Sequence, residues 1–168
     1  VEPLGGEPCR HVGPFLDDVP HPERSLSFWY YNTSKRGITL GLDTADYARR
    51  GAGVSISLDN APNDGEPNER DNVIDDVEIL LGGSGNDSLV GGAGDDSITG
   101  SAKRDILRGG AGDDTLVGND GDDLLVGGDG ADVIKGGLGD DTIMAIDLNS
   151  TDTVDGGDGF DSVAYDDA

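Results

Sequence analysis

The chain has one cysteine, Cys9, so no disulfide can form within it. Cys9 and His11 stand at a spacing that could begin a zinc site, but no second cysteine exists to complete one. The only other histidine is His21, and there is neither a His-Glu-x-x-His pair nor a Gly-x-Ser-x-Gly elbow. The chain is therefore expected to be no enzyme in itself. No run of about 20 apolar residues is present, so no membrane insertion by a helix is expected. Aromatic residues make up only 5% of the chain, too few for an ordinary large-residue core. Positive charge is scarce as well: 11 Lys and Arg face 35 Asp and Glu, for a formal net charge of −24. Such a chain repels nucleic acid and anionic surfaces and attracts cations.

What is abundant is glycine, 29 of 168 residues, and aspartate. An acidic, aromatic-poor chain can be disordered, but here the acids recur at a fixed period. Residues 1–24 hold five of the seven prolines and read as a Pro-rich linker or irregular arm. Residues 25–81 read as a β-rich segment and cap. Within it, the stretch from Tyr31 to Asp43 aligns without gaps on the stretch from Tyr47 to Asp59, 16 residues on. In each copy apolar residues alternate, at Ile38, Leu40 and Leu42, then at Val54, Ile56 and Leu58, the period-2 pattern of a half-buried strand. Residues 60–72 read as a polar surface loop that could also hold a cation.

From Gly82 the chain is a tandem array of nonapeptides. The units are Gly-Gly-Ser-Gly-Asn-Asp-Ser-Leu-Val (82–90), Gly-Gly-Ala-Gly-Asp-Asp-Ser-Ile-Thr (91–99), Gly-Ser-Ala-Lys-Arg-Asp-Ile-Leu-Arg (100–108) and Gly-Gly-Ala-Gly-Asp-Asp-Thr-Leu-Val (109–117). They continue as Gly-Asn-Asp-Gly-Asp-Asp-Leu-Leu-Val (118–126), Gly-Gly-Asp-Gly-Ala-Asp-Val-Ile-Lys (127–135) and Gly-Gly-Leu-Gly-Asp-Asp-Thr-Ile-Met (136–144). Two extra residues, a degraded copy over 147–155 and a good copy over 156–164 complete the series. Because the insertion is of two residues, the inward face should survive it.

The sixth position is always Asp and the eighth always aliphatic. Each unit is expected to form a six-residue turn followed by a three-residue strand, whose middle residue points inward. Leu80 extends the aliphatic ladder backwards from Leu89. One aliphatic side chain per nine residues is too little for a unit to fold alone, so the units must stack. Residues 82–164 contain 18 Asp and no Glu, and all six Glu lie at or before position 78. Solubility alone would accept either acid; exclusive Asp points to a short reach inside a tight turn. Glycine turns with converging carbonyls and short carboxylates suit a hard cation.

These units resemble the Gly-Gly-x-Gly-x-Asp-x-U-x repeat, U being a large aliphatic residue, of the RTX (hemolysin-type calcium-binding) family, over about half the chain. The resemblance implies an all-β fold: a parallel β-roll, a right-handed calcium-bound β-solenoid, with two nonapeptides per coil. It also implies that a Ca²⁺ ion sits between unit n and unit n+2. The first unit would give carbonyls of positions 2 and 4 and its Asp; the second would give carbonyls of positions 1 and 3 and its Asp.

Carried onto this chain, the resemblance implies four complete ligand sets. They are Gly92, Gly94, Asp96 with Gly109, Ala111, Asp114; Gly110, Gly112, Asp114 with Gly127, Asp129, Asp132; Asn119, Gly121, Asp123 with Gly136, Leu138, Asp141; and Gly137, Gly139, Asp141 with Gly156, Asp158, Asp161. A fifth set is Gly83, Gly85, Asp87 with Gly100, Ala102, Asp105. Two further sets depart from the pattern. Between 100–108 and 118–126, Lys103 replaces the fourth-position Gly and Arg104 adds positive charge; between 127–135 and 147–155, Ser150 replaces a Gly. Four to seven ions are thus implied.

The function implied is calcium ion binding by a calcium-dependent folding and stabilising module of a secreted, extracellular bacterial protein, exported by type I secretion. The alternatives are an accessory module of a larger secreted enzyme (protease, lipase or epimerase) or of a calcium-rigidified surface adhesin. The expected partners are calcium ions, with end-to-end self-association or further domains of a longer parent chain. The spacing of Asp161 and Tyr165 echoes that of Asp43 and Tyr47, so 165–168 is expected to be a truncated tail, with fraying that begins at 145–164.

Overall fold

The computed structural model describes residues 42–145 and 151–165. The Pro-rich arm, the first copy of the 16-residue repeat up to residue 41, Cys9 and both histidines lie outside the described residues. So do residues 146–150 and the tail from 166.

Twelve strands follow one another without a helix among the described residues. They are β1 (Thr44–Asp46), β2 (Ser55–Ser57), β3 (Ile79–Leu81), β4 (Ser88–Ala93), β5 (Ser97–Ala102) and β6 (Ile106–Ala111), then β7 (Thr115–Asp120), β8 (Leu124–Asp129), β9 (Val133–Leu138), β10 (Thr142–Ala145), β11 (Thr153–Asp158) and β12 (Ser162–Tyr165). Odd strands form one parallel sheet in the order β1-β3-β5-β7-β9-β11; even strands form the other, β12-β10-β8-β6-β4-β2. Successive units alternate between the sheets, so the chain winds as a β-solenoid of about five turns, the parallel β-roll that the repeat implies.

The eighth-position residues line up in two ladders. Ala45, Leu80, Ile98, Leu116, Ile134 and Val154 stack through the odd sheet. Ile56, Leu89, Leu107, Leu125, Ile143 and Val163 stack through the even one. Every ladder residue from Leu80 to Ile143 is fully buried. Val154 pairs with Ile134 and Val163 with Ile143, each 20 residues away instead of 18. The two extra residues are absorbed between coils and parity is kept, because alternation has period two.

Three features go beyond the sequence reading. Most strands are six residues long, because the x-U-x triplet continues through the first three residues of the following turn; Gly92 and Ala93 pair with Gly110 and Ala111. The segment before Gly82 enters the same two sheets: β1 and β2 are their outermost strands at one end. Finally, Leu42 was expected on the inward face of a strand over 38–42, but it is 63% exposed and outside any strand. Inward positions at that end belong to Ala45 and Tyr47 instead, because the ladder register starts from Ala45 beside Leu80. The polar loop after β2 folds back on it, with Ser55 bridging Gly65.

Candidate metal centre

The sixth-position aspartates are buried in rows along the roll. Asp87, Asp96, Asp105, Asp114, Asp123, Asp132 and Asp141 are each at most 5% exposed. The row is held by one repeated hydrogen bond: the backbone N–H of each Asp donates to Oδ1 of the Asp two units on. It joins Asp87 to Asp105 (2.8 Å), Asp96 to Asp114 (2.8 Å), Asp105 to Asp123 (2.7 Å), Asp114 to Asp132 (2.9 Å) and Asp123 to Asp141 (2.8 Å). It continues to Asp152 and Asp161 at the last coil.

This bond uses one oxygen of each carboxylate. The other, Oδ2 of Asp96, Asp105, Asp114, Asp123 and Asp141, is buried and accepts no hydrogen bond. A buried charged oxygen without a donor is costly. Its neighbours add to the cost, since stacked strands are about 4.8 Å apart and like charges at that spacing repel. Burial, followed by nearby acids, pushes the carboxyl of Asp96 up to about 6. Burial pushes Asp105 and Asp114 up to about 7 and Asp123 to about 6, against the lowering effect of the Oδ1 hydrogen bond. Asp141 is raised for the same reason. Such sites favour a proton or a cation over a bare carboxylate.

A main-chain carbonyl of the unit two on lies close to the same oxygen, and other turn carbonyls pack tightly between coils. A Cβ on Gly91 would collide with both Asp96 Oδ2 and the Gly109 carbonyl. A Cβ on Gly110 or Gly112 would collide with the Gly92 or Gly94 carbonyl of the coil before. Here glycine is required by space and by a φ of +130° at both positions. No three His, Cys, Asp or Glu side chains form a cluster among the described residues. A cation here would therefore draw most of its donors from main-chain carbonyls, with two carboxylates per site, a hard-oxygen set that fits Ca²⁺.

All four complete sets share this arrangement. In the first, Gly94 N–H donates to the Ala111 carbonyl at 2.7 Å, and the equivalent bonds in the others are Gly112 to Asp129, Gly121 to Leu138 and Gly139 to Asp158. The Asn119 carbonyl takes the place of a glycine carbonyl, against Gly137, with Asn119 at φ +79°. Gly127, Gly136 and Gly156 place their carbonyls beside Gly109, Gly118 and Gly136, where the Oδ2 atoms of Asp114, Asp123 and Asp141 also point.

The fifth set is built differently. Its strand pairing stops at Leu81 beside Thr99, so Gly83 and Gly85 do not run alongside Ser101 and Lys103. Neither Gly83 nor Gly85 has positive φ, and Asp87 Oδ2 accepts from Gly83 N–H at 2.7 Å. Gly100 and Asp105 keep their places, with the Gly100 carbonyl beside Gly82 and Asp87 Oδ2. In the set that reaches 147–155, Asp132 is bonded to Asp152, while Ser150 lies outside the described residues.

Sequence reasoning missed an outer row. The fifth-position carboxylates of Asp95, Asp113, Asp122 and Asp140 accept from the backbone N–H two units on, at Asp113, Ala131, Asp140 and Phe160, at 2.9–3.0 Å. These bonds run opposite to the inner row, so successive turns are clamped from both sides. The recurrence of Asp at position 5 was the available signal. Asp64 was also missed: it is 1% exposed and accepts from Ser57 and Val73 N–H, which ties the loop to β2.

The family model of the RTX calcium-binding nonapeptide repeat (4 copies) matches residues 75–107, 90–125 and 117–145. Over 43 residues the chain is 42% identical to a Thauera aromatica protein described as succinyl-CoA:(R)-benzylsuccinate CoA-transferase subunit BbsE. That stretch is 26% of this chain and spans only 10% of that protein. No solved structure matches the chain significantly.

Proposed function

We propose, from the premise that residues 75–145 are RTX calcium-binding nonapeptide repeats, that this chain is a module whose fold is completed by Ca²⁺ outside the cell. One observation carries the reading: the buried Oδ2 atoms of Asp96, Asp105, Asp114, Asp123 and Asp141 have no donor, and each lies near the first main-chain carbonyl of the unit two on. A cation or a proton relieves that arrangement. The ligands would be the four complete sets given above, with Asp114 and Asp141 each shared by two ions. When bound, calcium supplies charge neutralisation along the rows and a link between coils. The chain's own part is to present carbonyls through its glycine turns and to hold each Asp by its Oδ1 bond.

Binding to the folded state alone adds about 1.4 kcal/mol per site at tenfold excess over Kd. Four sites give roughly 5–6 kcal/mol, comparable to a whole domain's stability. A chain of charge −24 would then stay open in low calcium and fold in high calcium, which suits export before folding. The test is circular dichroism of the full chain titrated with CaCl₂ after chelation. A saturable, cooperative gain of β signal is expected; equal spectra in EGTA and in millimolar calcium would overturn the proposal.

A further inference from the structure

The 100–108 turn breaks the repeat at three positions, with Ser101 and Lys103 where most units have glycine, and Arg104 where every other unit has an uncharged or acidic residue. By sequence it is a poor ion site, since a side chain resists positive φ and two cationic groups repel Ca²⁺. In the fold its backbone takes positive φ all the same. Ser101 and Lys103 adopt φ of +145° and +74°, on the positive-φ side where Gly92 and Gly94 stand at +138° and +113°. The strand pairing carries on through Ser101 beside Asn119 and Ala102 beside Asp120. The Lys103 carbonyl lies against Gly121 where a Cβ would collide with it, as the Gly94 carbonyl lies against Gly112. Asp105 is fully buried with its Oδ2 unpartnered, and Asp105 Oδ2 and the Gly118 carbonyl meet at Gly100. The side chains of Lys103 and Arg104 are exposed.

We infer that this turn and the 118–126 turn together hold a hard divalent cation through the main-chain carbonyl of Lys103, with Asp105 and Asp123 as its carboxylates. The inference rests on the calcium reading of the array, and adds that the irregular unit is a working rung. A carbonyl donor depends on backbone direction, not on side-chain identity, so lysine can serve where its φ is positive, as it is at Lys103. The cost is electrostatic. Two exposed positive charges near the ion weaken it modestly in water, so this site fills after its neighbours, by about threefold to tenfold in calcium concentration.

The test is a calcium titration of the full chain, with ions counted by native mass spectrometry and the Gly121 and Asp123 amides followed by NMR. The wild type is expected to show a late step confined to those amides. Lys103→Gly should keep the ion count and shift that step about threefold to tenfold lower. Lys103→Pro, which fixes φ near −65°, should bind one ion fewer. An unchanged count in Lys103→Pro, or Gly121 and Asp123 amides that show no response beyond the main folding step in the wild type and no earlier filling in Lys103→Gly, overturns the inference; the NMR arm decides if the proline variant fails to fold. A wild type that binds no calcium at all overturns the reading of the whole array instead.

Discussion

Asp96 donates its backbone N–H to Oδ1 of Asp114, 18 residues on, at 2.8 Å, and leaves its own Oδ2 buried without a donor. The same group is thus both a structural clamp and an unmet demand for positive charge, and the expected behaviour of the chain follows from that pairing.

Chelation should unfold the repeats. The aliphatic ladders hold one residue per strand, and the aspartate rows repel one another when their counter-ions are removed. Addition of EGTA is expected to abolish amide protection across 82–144. Retained hydrogen-exchange protection there in chelator would refute this.

Substitutions of the inner row should be graded. Asp114→Ala and Asp141→Ala each remove a carboxylate facing two sets and leave a buried N–H, of Asp96 or Asp123, without its acceptor, costing about 1–3 kcal/mol besides the lost ions. Asp105→Ala removes a carboxylate from one well-built set, so it should lose fewer ions. Equal losses of bound calcium in the three variants would contradict the register described above.

Acid should compete with calcium. Burial holds Asp105 and Asp114 at about 7 and Asp123 and Asp96 at about 6, above the ordinary 3.8. In chelator the folded rows therefore bind more protons than the unfolded chain between about pH 4 and pH 7. The stability supplied by those protons is greatest below pH 4 and is lost as pH rises through 6–7. Calcium must displace the same protons, so the calcium midpoint should rise as pH falls from 7.5 to 5.5. A midpoint constant over that range would count against cation binding at these carboxylates.

Glycine positions should separate sharply. At Gly110 a Cβ meets the Gly92 carbonyl and φ is +130°, so Gly110→Ala should destabilise the calcium-loaded roll by several kcal/mol. Gly51 has nothing within 4 Å of a new Cβ and no positive φ, so Gly51→Ala should lie within about 0.5 kcal/mol of the wild type. Denaturant unfolding in saturating calcium checks both; similar midpoints for the two variants would be the contrary result.

The aliphatic ladder should weaken towards β12. Leu116 is fully buried, so Leu116→Ala is expected to cost about 2–5 kcal/mol. Val163 is 37% exposed on the outermost even strand, and Val163→Ala should cost well under half of that. Thermal melts in saturating calcium decide it, and comparable losses would mean that the last coil is covered in solution.

The sequence by itself determined the roll. A nine-residue period with Asp at position 6 and an aliphatic at position 8 allows only stacked units with one face inward, and a two-residue insertion keeps that face. The resemblance of the repeat added two units per coil, and the structure pairs each unit with the one two on. Tertiary structure decided what spacing cannot carry. Pairing stops after Leu81, so the glycine-rich 82–90 turn takes another conformation, and Asp87 Oδ2 is claimed by the Gly83 N–H. Pairing with the following coil continues past Ser101, and the glycine-poor 100–108 turn takes positive φ beside it. Backbone direction sets where a carbonyl points. In a solenoid that direction is imposed by the neighbouring rung as much as by the residue itself, which is why Lys103 stands where the repeat asks for glycine.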